Sequence, residues 1–281
     1  MTFRTRFAPS PTGPLHLGHA FSALTAFDMA QAAGGTFLLR IEDIDSTRSR
    51  PEWERQIHDD LHWLGLDWPE PALRQSDRLP AYRAALDSLW SQGLLYACRC
   101  SRRDIAEAAS APQEGAPLIG PDGPVYPGTC RGKPRSGPLP EGALRLDMTR
   151  AMERLGPADI TFTETGARAA PQITARGMID TVGDIVLSRR DFPGSYHLSV
   201  VLDDAAQKIT HVVRGEDLFD ATPIHVVLQR LLGLPTPGYH HHRLIRDEHG
   251  KRLAKRDDAR ALATYQAEGA TPQDIRAMVG L

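Results

Sequence analysis

The stretch Arg6-Phe-Ala-Pro-Ser-Pro-Thr-Gly-Pro-Leu-His-Leu-Gly-His19 decides how the chain folds near its N-terminus. The apolar segment Phe3 to Ala8 predicts a strand, and a proline- and glycine-rich turn follows it. His16 and His19 lie where a helix opens, and their spacing puts both imidazoles on one side of the first turn. A helix start favours phosphate, and Gly18 has no side chain to keep a nucleotide away. A helix start with two surface histidines is the simpler alternative.

Beyond this stretch, helical and strand-like segments alternate. The first part predicts a helix over residues 17–33, a strand over 36–42, a helix from a capping box at Ser49–Glu52 to about Gly65, and a helix over 80–92. Proline and glycine are dense between about residues 110 and 142. After that insert the sequence predicts strands at 143–148, 160–163, 184–188 and 209–213, helices at 197–206 and 222–232, and one or two short C-terminal helices. This rhythm predicts an α/β fold with a doubly wound parallel sheet.

Composition excludes several classes of protein. The 281 residues carry a net charge of −2, so any RNA-binding surface must be a local basic patch. We expect no membrane span, because no apolar run approaches about 20 residues. The N-terminus lacks the pattern of a signal peptide, and three cysteines cannot all pair, which favours a metal site in the reducing cytoplasm. No coiled-coil pattern is visible, and we expect a monomer.

Two further motifs carry charge. Lys251-Arg-Leu-Ala-Lys-Arg256 is a basic run near the C-terminus, and such a run taken alone is usually a solvated surface. Arg40-Ile-Glu-Asp-Ile-Asp45 follows the second predicted strand, at the end where open α/β sheets bind ligands. Acidic residues that merely cap a loop are the alternative for this second run.

Together these motifs resemble the two signatures of class I aminoacyl-tRNA synthetases, in the form found in glutamyl-tRNA synthetases. The resemblance implies a Rossmann-like catalytic domain that uses ATP, with Mg²⁺ accompanying it. Lys255 matches the lysine that follows the charge of the departing pyrophosphate. The basic motif departs from the family pattern at Arg252, which replaces a lysine, and at Ala254, which replaces a serine. The implied ATP-binding residues are Pro9, His16, Gly18, His19, Arg252 and Lys255, of which His16, His19 and Lys255 are catalytic.

The same resemblance implies a site for L-glutamate. Glu42 matches the residue that faces the substrate ammonium, and Arg6 matches the one that pairs with the side-chain carboxylate. A planar guanidinium recognises a carboxylate through two hydrogen bonds and rejects glutamine. Ser10, Tyr196 and Arg214 match the remaining positions, although Tyr196 taken alone fits a core aromatic better.

The cysteines form Cys98-Arg-Cys100 and, thirty residues on, Cys130. Three thiolates can bind zinc with a fourth ligand, and no histidine lies nearby in sequence. Tyr126, in the pattern Y-x3-C, is implied as that ligand by similarity to the zinc site of short relatives that glutamylate queuosine. Three unrelated buried thiols are the alternative. For His240-His-His242 we expect polar surface rather than a metal site.

Only 25 residues follow Arg256, too few for the helical domains with which a glutamyl-tRNA synthetase reads an anticodon. We therefore expect no anticodon-binding domain. The expected segments are 1–97 and 184–245 for the two halves of the catalytic domain, 98–183 for a zinc-bearing insert, and 246–281 for the basic loop and a short helical stem.

This combination resembles the glutamyl-Q tRNA(Asp) synthetase family. The resemblance implies activation of glutamate without tRNA, followed by transfer to queuosine at the wobble position in the anticodon loop of tRNA(Asp). A truncated glutamyl-tRNA synthetase that charges tRNA(Glu) is one alternative. A synthetase-like binding protein without catalysis is another.

Overall fold

The order of strands and helices follows the alternation that the sequence predicts. The computed structural model describes residues 2–110, 119–133, 135–190, 192–246 and 260–281. The strands are β1 (Arg4–Phe7), β2 (Thr36–Ile41), β3 (Leu73–Arg74), β4 (Leu95–Ala97), β5 (Ile119–Gly120), β6 (Gly123–Pro124), β7 (Leu144–Leu146), β8 (Val186–Ser188), β9 (His211–Gly215) and β10 (Gly238–His242). The helices are α1 (Leu17–Ala32), α2 (Pro51–Trp63), α3 (Leu79–Ser91), α4 (Arg102–Ser110), α5 (Met148–Leu155), α6 (Ala175–Gly177), α7 (Tyr196–Ala206), α8 (Thr222–Leu231), α9 (Leu262–Ala267) and α10 (Pro272–Val279).

The parallel strands form the part of the fold that the sequence predicts best. β1, β2 and β3 pair in parallel in that order, and β9 pairs in parallel with β10. β1 lies beside β9, and the Thr210 N–H donates to the Arg4 carbonyl at 2.9 Å. β1 is therefore flanked by β2 on one side and by the much later β9 on the other. In α/β sheets the ligand crevice lies at such a switch point, outside the carboxyl ends of the strands.

A second, antiparallel sheet corrects one prediction. β7 pairs antiparallel with both β4 and β8, so the strand expected at residues 184–188 does not resume the parallel pattern. This sheet draws its strands from three of the four expected segments, because β4 precedes residue 98 and β8 follows residue 183. Those segment boundaries stay a prediction.

Local patterns failed at three further places. α2 begins after Arg50 with no side-chain cap, so the capping box predicted at Ser49 is wrong, and Pro51 starts the helix through its fixed φ. The strand predicted at 160–163 is a single bridge between Ile160 and Ile173. α5 follows β7 unexpectedly, and Asp147 caps it by accepting the Arg150 N–H.

The two short C-terminal helices are confirmed, and they pack against the N-terminal part of the fold. α10 contacts α1, where Arg276 makes two hydrogen bonds of 2.7 and 2.8 Å to Asp28. The Leu262 N–H at the start of α9 donates to the Leu15 carbonyl at 2.8 Å, just before the HLGH motif. Among the described residues, no helix is both long and apolar enough to cross a bilayer.

Candidate active site

A cavity of about 370 Å³ opens at the carboxyl ends of β1, β2, β9 and β10. Its lining comes from the ends of these strands, from the start of α1 and from the start of α7. The lining residues used below are Arg6, His16, Gly18, His19, Glu42, Tyr196, Arg214, Asp217, His242 and Arg243. The structure thus brings together seven residues that the sequence singled out: Arg6, His16, Gly18, His19, Glu42, Tyr196 and Arg214.

The HLGH motif builds the start of α1 through its own side chains. His16 is the N-cap, and its Nδ1 accepts the Gly18 N–H at 3.1 Å, while His19 Nδ1 accepts the His16 N–H at 3.2 Å. Because Nδ1 is the acceptor in both rings, a neutral imidazole must carry its proton on Nε2. Each histidine can therefore donate from Nε2, as the phosphate-binding prediction requires.

Gly18 has a packing role that the sequence reading did not anticipate. A Cβ at this position would lie 3.0 Å from a ring carbon of His16 and 3.2 Å from its Nδ1. The glycine therefore leaves room for the His16 ring to fold back onto the helix start. Room for a nucleotide stays a prediction.

Arg6 belongs to a buried network of charges. Its Nε donates to Asp204 at 2.8 Å, and the same carboxylate accepts from Arg40 Nη1 at 2.6 Å. Arg40 also reaches Glu42 at 3.0 Å. Burial opposes ionisation of Asp204, but Arg6 and Arg40 outweigh it and lower its pKa. Burial raises the pKa of Glu42, against the opposing effect of Arg40. Arg6, which the sequence predicts to hold a carboxylate of the substrate, is thus already paired with the Asp204 carboxylate, which it shares with Arg40.

Arg214 has a different set of partners. Its Nε donates to His241 Nε2 at 3.1 Å, and its Nη1 contacts His225 Nδ1 at 3.1 Å. Nη2 donates to Thr222 Oγ1 at 2.8 Å and to the Leu218 carbonyl at 3.3 Å. All four acceptors are uncharged groups. Within the part of the chain that the structure describes, this buried guanidinium contacts no carboxylate.

A neighbouring cavity of about 390 Å³ shares Glu42 and Tyr196 with the first. Ser10 lines this second cavity, together with Arg48, Arg189 and Phe192 among others. Tyr196 is the first residue of α7 and stands between the two spaces.

Of the other predicted ATP-binding residues, Pro9 lines neither cavity. Pro9 is buried, and its carbonyl accepts the Glu42 N–H at 3.0 Å, so it positions the Glu42 backbone. The basic motif with Arg252 and Lys255 falls outside the described residues.

The three cysteines converge in the insert. The Sγ atoms of Cys98, Cys100 and Cys130 lie within 4.8 Å of one another and can hold a metal ion. Tyr126 Oη lies 3.5 Å from Cys98 Sγ and 3.3 Å from Cys100 Sγ, and it accepts the Cys130 N–H at 3.0 Å. Three sulfurs and one oxygen around a common centre are a fitting donor set for a tetrahedral ion.

The polar surface expected for His240-His-His242 is wrong for two of the three residues. The run ends strand β10, in which His241 and His242 are 4% and 8% exposed. His240 is half-buried, and its Nδ1 contacts Thr165 Oγ1 at 3.0 Å. The sequence reading also missed Asp204, Arg40, His225 and Glu164. Only Arg40 had a local signal, since it opens the run that contains Glu42.

Comparison with known proteins gives a consistent picture. Residues 2–117 and 170–281 match the family "tRNA synthetases class I (E and Q), catalytic domain". A protein of Rhodobacter capsulatus named glutamyl-Q tRNA(Asp) synthetase is 67% identical over 99% of both chains. A protein of the same name from Symbiobacterium thermophilum is 43% identical over 96% of this chain and 83% of its own.

Among solved structures, the glutamate-tRNA synthetase of Elizabethkingia anophelis is similar over the whole chain. The TM-score is 0.79 at 27% sequence identity. The chain spans 61% of the length of that synthetase.

Proposed function

Because the chain belongs to the class I tRNA synthetases for glutamate and glutamine, and within them to the glutamyl-Q tRNA(Asp) synthetase family, we propose that it activates L-glutamate with ATP. A carboxylate oxygen of glutamate attacks the α-phosphorus, the bond to pyrophosphate breaks, and glutamyl-adenylate forms. A hydroxyl of queuosine in tRNA(Asp) then attacks the acyl carbon. AMP leaves, and the hydroxyl proton is released.

The observation that carries the proposal is the buried positive charge of Arg214 at the cavity wall. A buried charge is stable only when it is paired or well hydrogen-bonded, and here the partners supply hydrogen bonds without a formal negative charge. A ligand carboxylate would supply that charge.

The net charge of the cavity favours glutamate over glutamine. Its charged lining residues are Arg6, Arg214, Arg243, Glu42 and Asp217. Behind the wall, Arg40 and Asp204 balance each other, so the described residues of the site carry one excess positive charge. L-glutamate carries one net negative charge at neutral pH, whereas L-glutamine is neutral. When glutamine occupies the site, the excess positive charge has no partner. A buried polar group that the wrong substrate leaves unpaired makes a site strongly selective against that substrate.

We assign the substrate contacts as the sequence predicts. Glutamate is held by Arg6, Ser10, Glu42, Tyr196 and Arg214. Among these, Glu42 faces the substrate ammonium. Pro9, His16, Gly18, His19, Arg252 and Lys255 serve ATP, which Mg²⁺ accompanies. The Nε2–H groups of His16 and His19 supply neutral donors at the positive end of α1, where charge develops on phosphate oxygens.

We further propose that Cys98, Cys100, Cys130 and Tyr126 hold one structural zinc. Four protein ligands leave no position for water, so the ion would tie the insert together without taking part in the reaction. Burial opposes ionisation of Cys130, but hydrogen bonds lower the pKa of this thiol to about 6, which favours the thiolate that a metal binds. Burial raises the pKa of Cys100 and of Tyr126, so these two ligands must lose their protons when the ion binds.

The second cavity is the proposed entry for the acceptor. It adjoins Glu42 and Tyr196, and it offers Arg48, Arg189 and the Phe192 ring to a phosphate or a base. An unstacked base packs well on an aromatic ring beside arginines. We propose that the queuosine of the tRNA(Asp) anticodon loop enters here, and that the chain acts as a monomer in the cytoplasm.

Pyrophosphate exchange tests the activation step. Exchange that depends on L-glutamate, proceeds without tRNA and is not supported by L-glutamine is the expected result. Exchange that requires tRNA would favour a truncated glutamyl-tRNA synthetase, and no exchange would favour a binding protein without catalysis.

Nuclease mapping tests the acceptor. Labelled glutamate is expected on the anticodon fragment of tRNA(Asp) that contains queuosine, with tRNA(Asp) lacking queuosine as the matched control. Label on the 3′ adenosine of tRNA(Glu) would overturn the proposed acceptor while leaving glutamate activation intact.

A further inference from the structure

Two chains of hydrogen bonds connect Arg214 to carboxylates that it does not touch. The short relay runs from Arg214 through His241 to Glu164. The long relay runs from Arg214 through His225 and His197 to Asp122. We propose that these histidine relays position the Arg214 guanidinium and so set the affinity for the glutamate carboxylate, an inference that rests on the proposed function.

The hydrogen-bond direction of the short relay is fixed at both ends. Glu164 Oε1 accepts the backbone N–H groups of His241 and Gly166, and Oε2 lies 2.5 Å from His241 Nδ1. Burial opposes ionisation of Glu164, but these hydrogen bonds lower its pKa, so the carboxylate accepts. His241 Nδ1 therefore carries the proton, and Nε2 has the lone pair that receives Arg214 Nε–H.

The direction of the long relay follows from the guanidinium, which can only donate. His225 Nδ1 must accept from Arg214 Nη1, so the His225 proton lies on Nε2. That proton points at His197 Nδ1, 3.0 Å away. His197 consequently carries its proton on Nε2 and donates to Asp122 Oδ1 at 3.1 Å. Every hydrogen bond of the long relay therefore has one donor and one acceptor.

Both histidines next to Arg214 stay neutral. Burial, reinforced by Arg214, lowers the pKa of His225 well below its ordinary range. The same two causes, against Glu164, lower the pKa of His241 to about 4. The relays therefore keep one protonation pattern through neutral pH.

This arrangement holds the Arg214 guanidinium in place without neutralising its positive charge. The contacts within the described residues use four of the five N–H groups of Arg214, which leaves one on Nη1 for a ligand. The relay carboxylates stand one or two imidazoles away, so they orient the side chain but leave its charge available to the cavity. Arg6, which contacts Asp204 directly, shows the contrasting arrangement. Asp122 lies in the turn between β5 and β6, so the long relay also connects the cavity to the insert.

Paired substitutions test the relays. His225→Leu and His241→Leu remove the acceptor, whereas His225→Gln and His241→Gln keep one acceptor and one donor. In glutamate-dependent pyrophosphate exchange, each Leu variant is expected to raise KM for glutamate about 10- to 100-fold, with KM for ATP changed much less. The Gln variants are expected to recover most of the affinity. His240→Gln, on the other face of the same strand, is the control and should behave as wild type.

The outcomes separate the two proposals. Wild-type protein that shows no exchange with glutamate overturns the proposed function. Wild-type exchange together with unchanged KM for glutamate in both Leu variants overturns the relays alone. Should a Leu variant fail to fold, imidazole nitrogen chemical shifts of the wild type decide. The relays require Nε2–H on His225 and His197 and Nδ1–H on His241, and any other tautomer at His225 or His241 refutes them.

Discussion

Replacement of Asp204 by asparagine should destabilise the fold far more than an ordinary lost ion pair. The Asp204 side chain is only 8% exposed and serves two buried guanidiniums, Arg6 at 2.8 Å and Arg40 at 2.6 Å. Asparagine keeps the shape and one acceptor oxygen, but it removes the negative charge and turns an amide toward the arginines. Because breaking a buried pair leaves an uncompensated charge, the expected loss in free energy of unfolding is about 3–5 kcal/mol.

Asp28 provides a matched control. It makes hydrogen bonds of 2.7 and 2.8 Å to Arg276, but these side chains are 43% and 28% exposed. Asp28→Asn should therefore cost at most about 1 kcal/mol, because water replaces the lost contact.

Urea unfolding of the three proteins at pH 7.5 gives the comparison. The contribution of Asp204 is complete at that pH, because its lowered pKa means that the contribution is lost only as pH falls below about 4. Equal losses for Asp204→Asn and Asp28→Asn would refute the argument that burial sets the cost.

Three further predictions concern the reaction, the metal and pH. Lys255→Ala should lower the pyrophosphate exchange rate about 100-fold with little change in KM for glutamate, and an unchanged rate would exclude the basic loop from the mechanism. Metal analysis should find about one zinc per wild-type chain and much less in Cys100→Ser, and a metal-free, folded wild type purified without chelators would contradict the site. Because the pKa of His241 falls to about 4 on folding, the unfolded chain binds more protons below pH 6.5. Stability should therefore drop between about pH 6.5 and 4, and the drop should be smaller by about 3 kcal/mol in His241→Gln; an equal drop in both proteins would contradict the shift.

The features that the sequence predicted correctly are those with a local physical cause. A proline- and glycine-rich turn between an apolar strand and a histidine pair fixes the start of α1, and a Gly-Gly pair stops it at Ala32. Cys98 and Cys100 are close in sequence, and Tyr126 precedes Cys130 by four residues, so the sequence alone indicated a cluster of metal ligands. Helix bounds were accurate to within about two residues wherever proline or glycine marked the end.

The partners of the site residues had no such signal. Asp204 lies 198 residues from Arg6, and His241 lies 77 residues from Glu164, so only the packing of distant helices and strands brings these partners together. The surface prediction for His241 rested on the fact that adjacent histidines in a strand point in different directions, which does not decide whether either face is buried. In β10 its ring is buried because Glu164 and Arg214 satisfy both nitrogens.

The two arginines at the cavity wall show why motif residues alone do not define specificity. Arg6 belongs to the decisive N-terminal stretch, yet it forms an ion pair with Asp204, which offsets much of its positive charge. Arg214 was the less prominent residue in the sequence, yet its nearest carboxylates stand behind histidines. A carboxylate in the cavity must share Arg6 with Asp204, whereas Arg214 holds no competing anion among the described residues. The preference for glutamate over glutamine should therefore depend more on Arg214 than on Arg6. We therefore predict that the long-range contacts of β9, β10 and α8 decide which of these two arginines contributes more to substrate recognition.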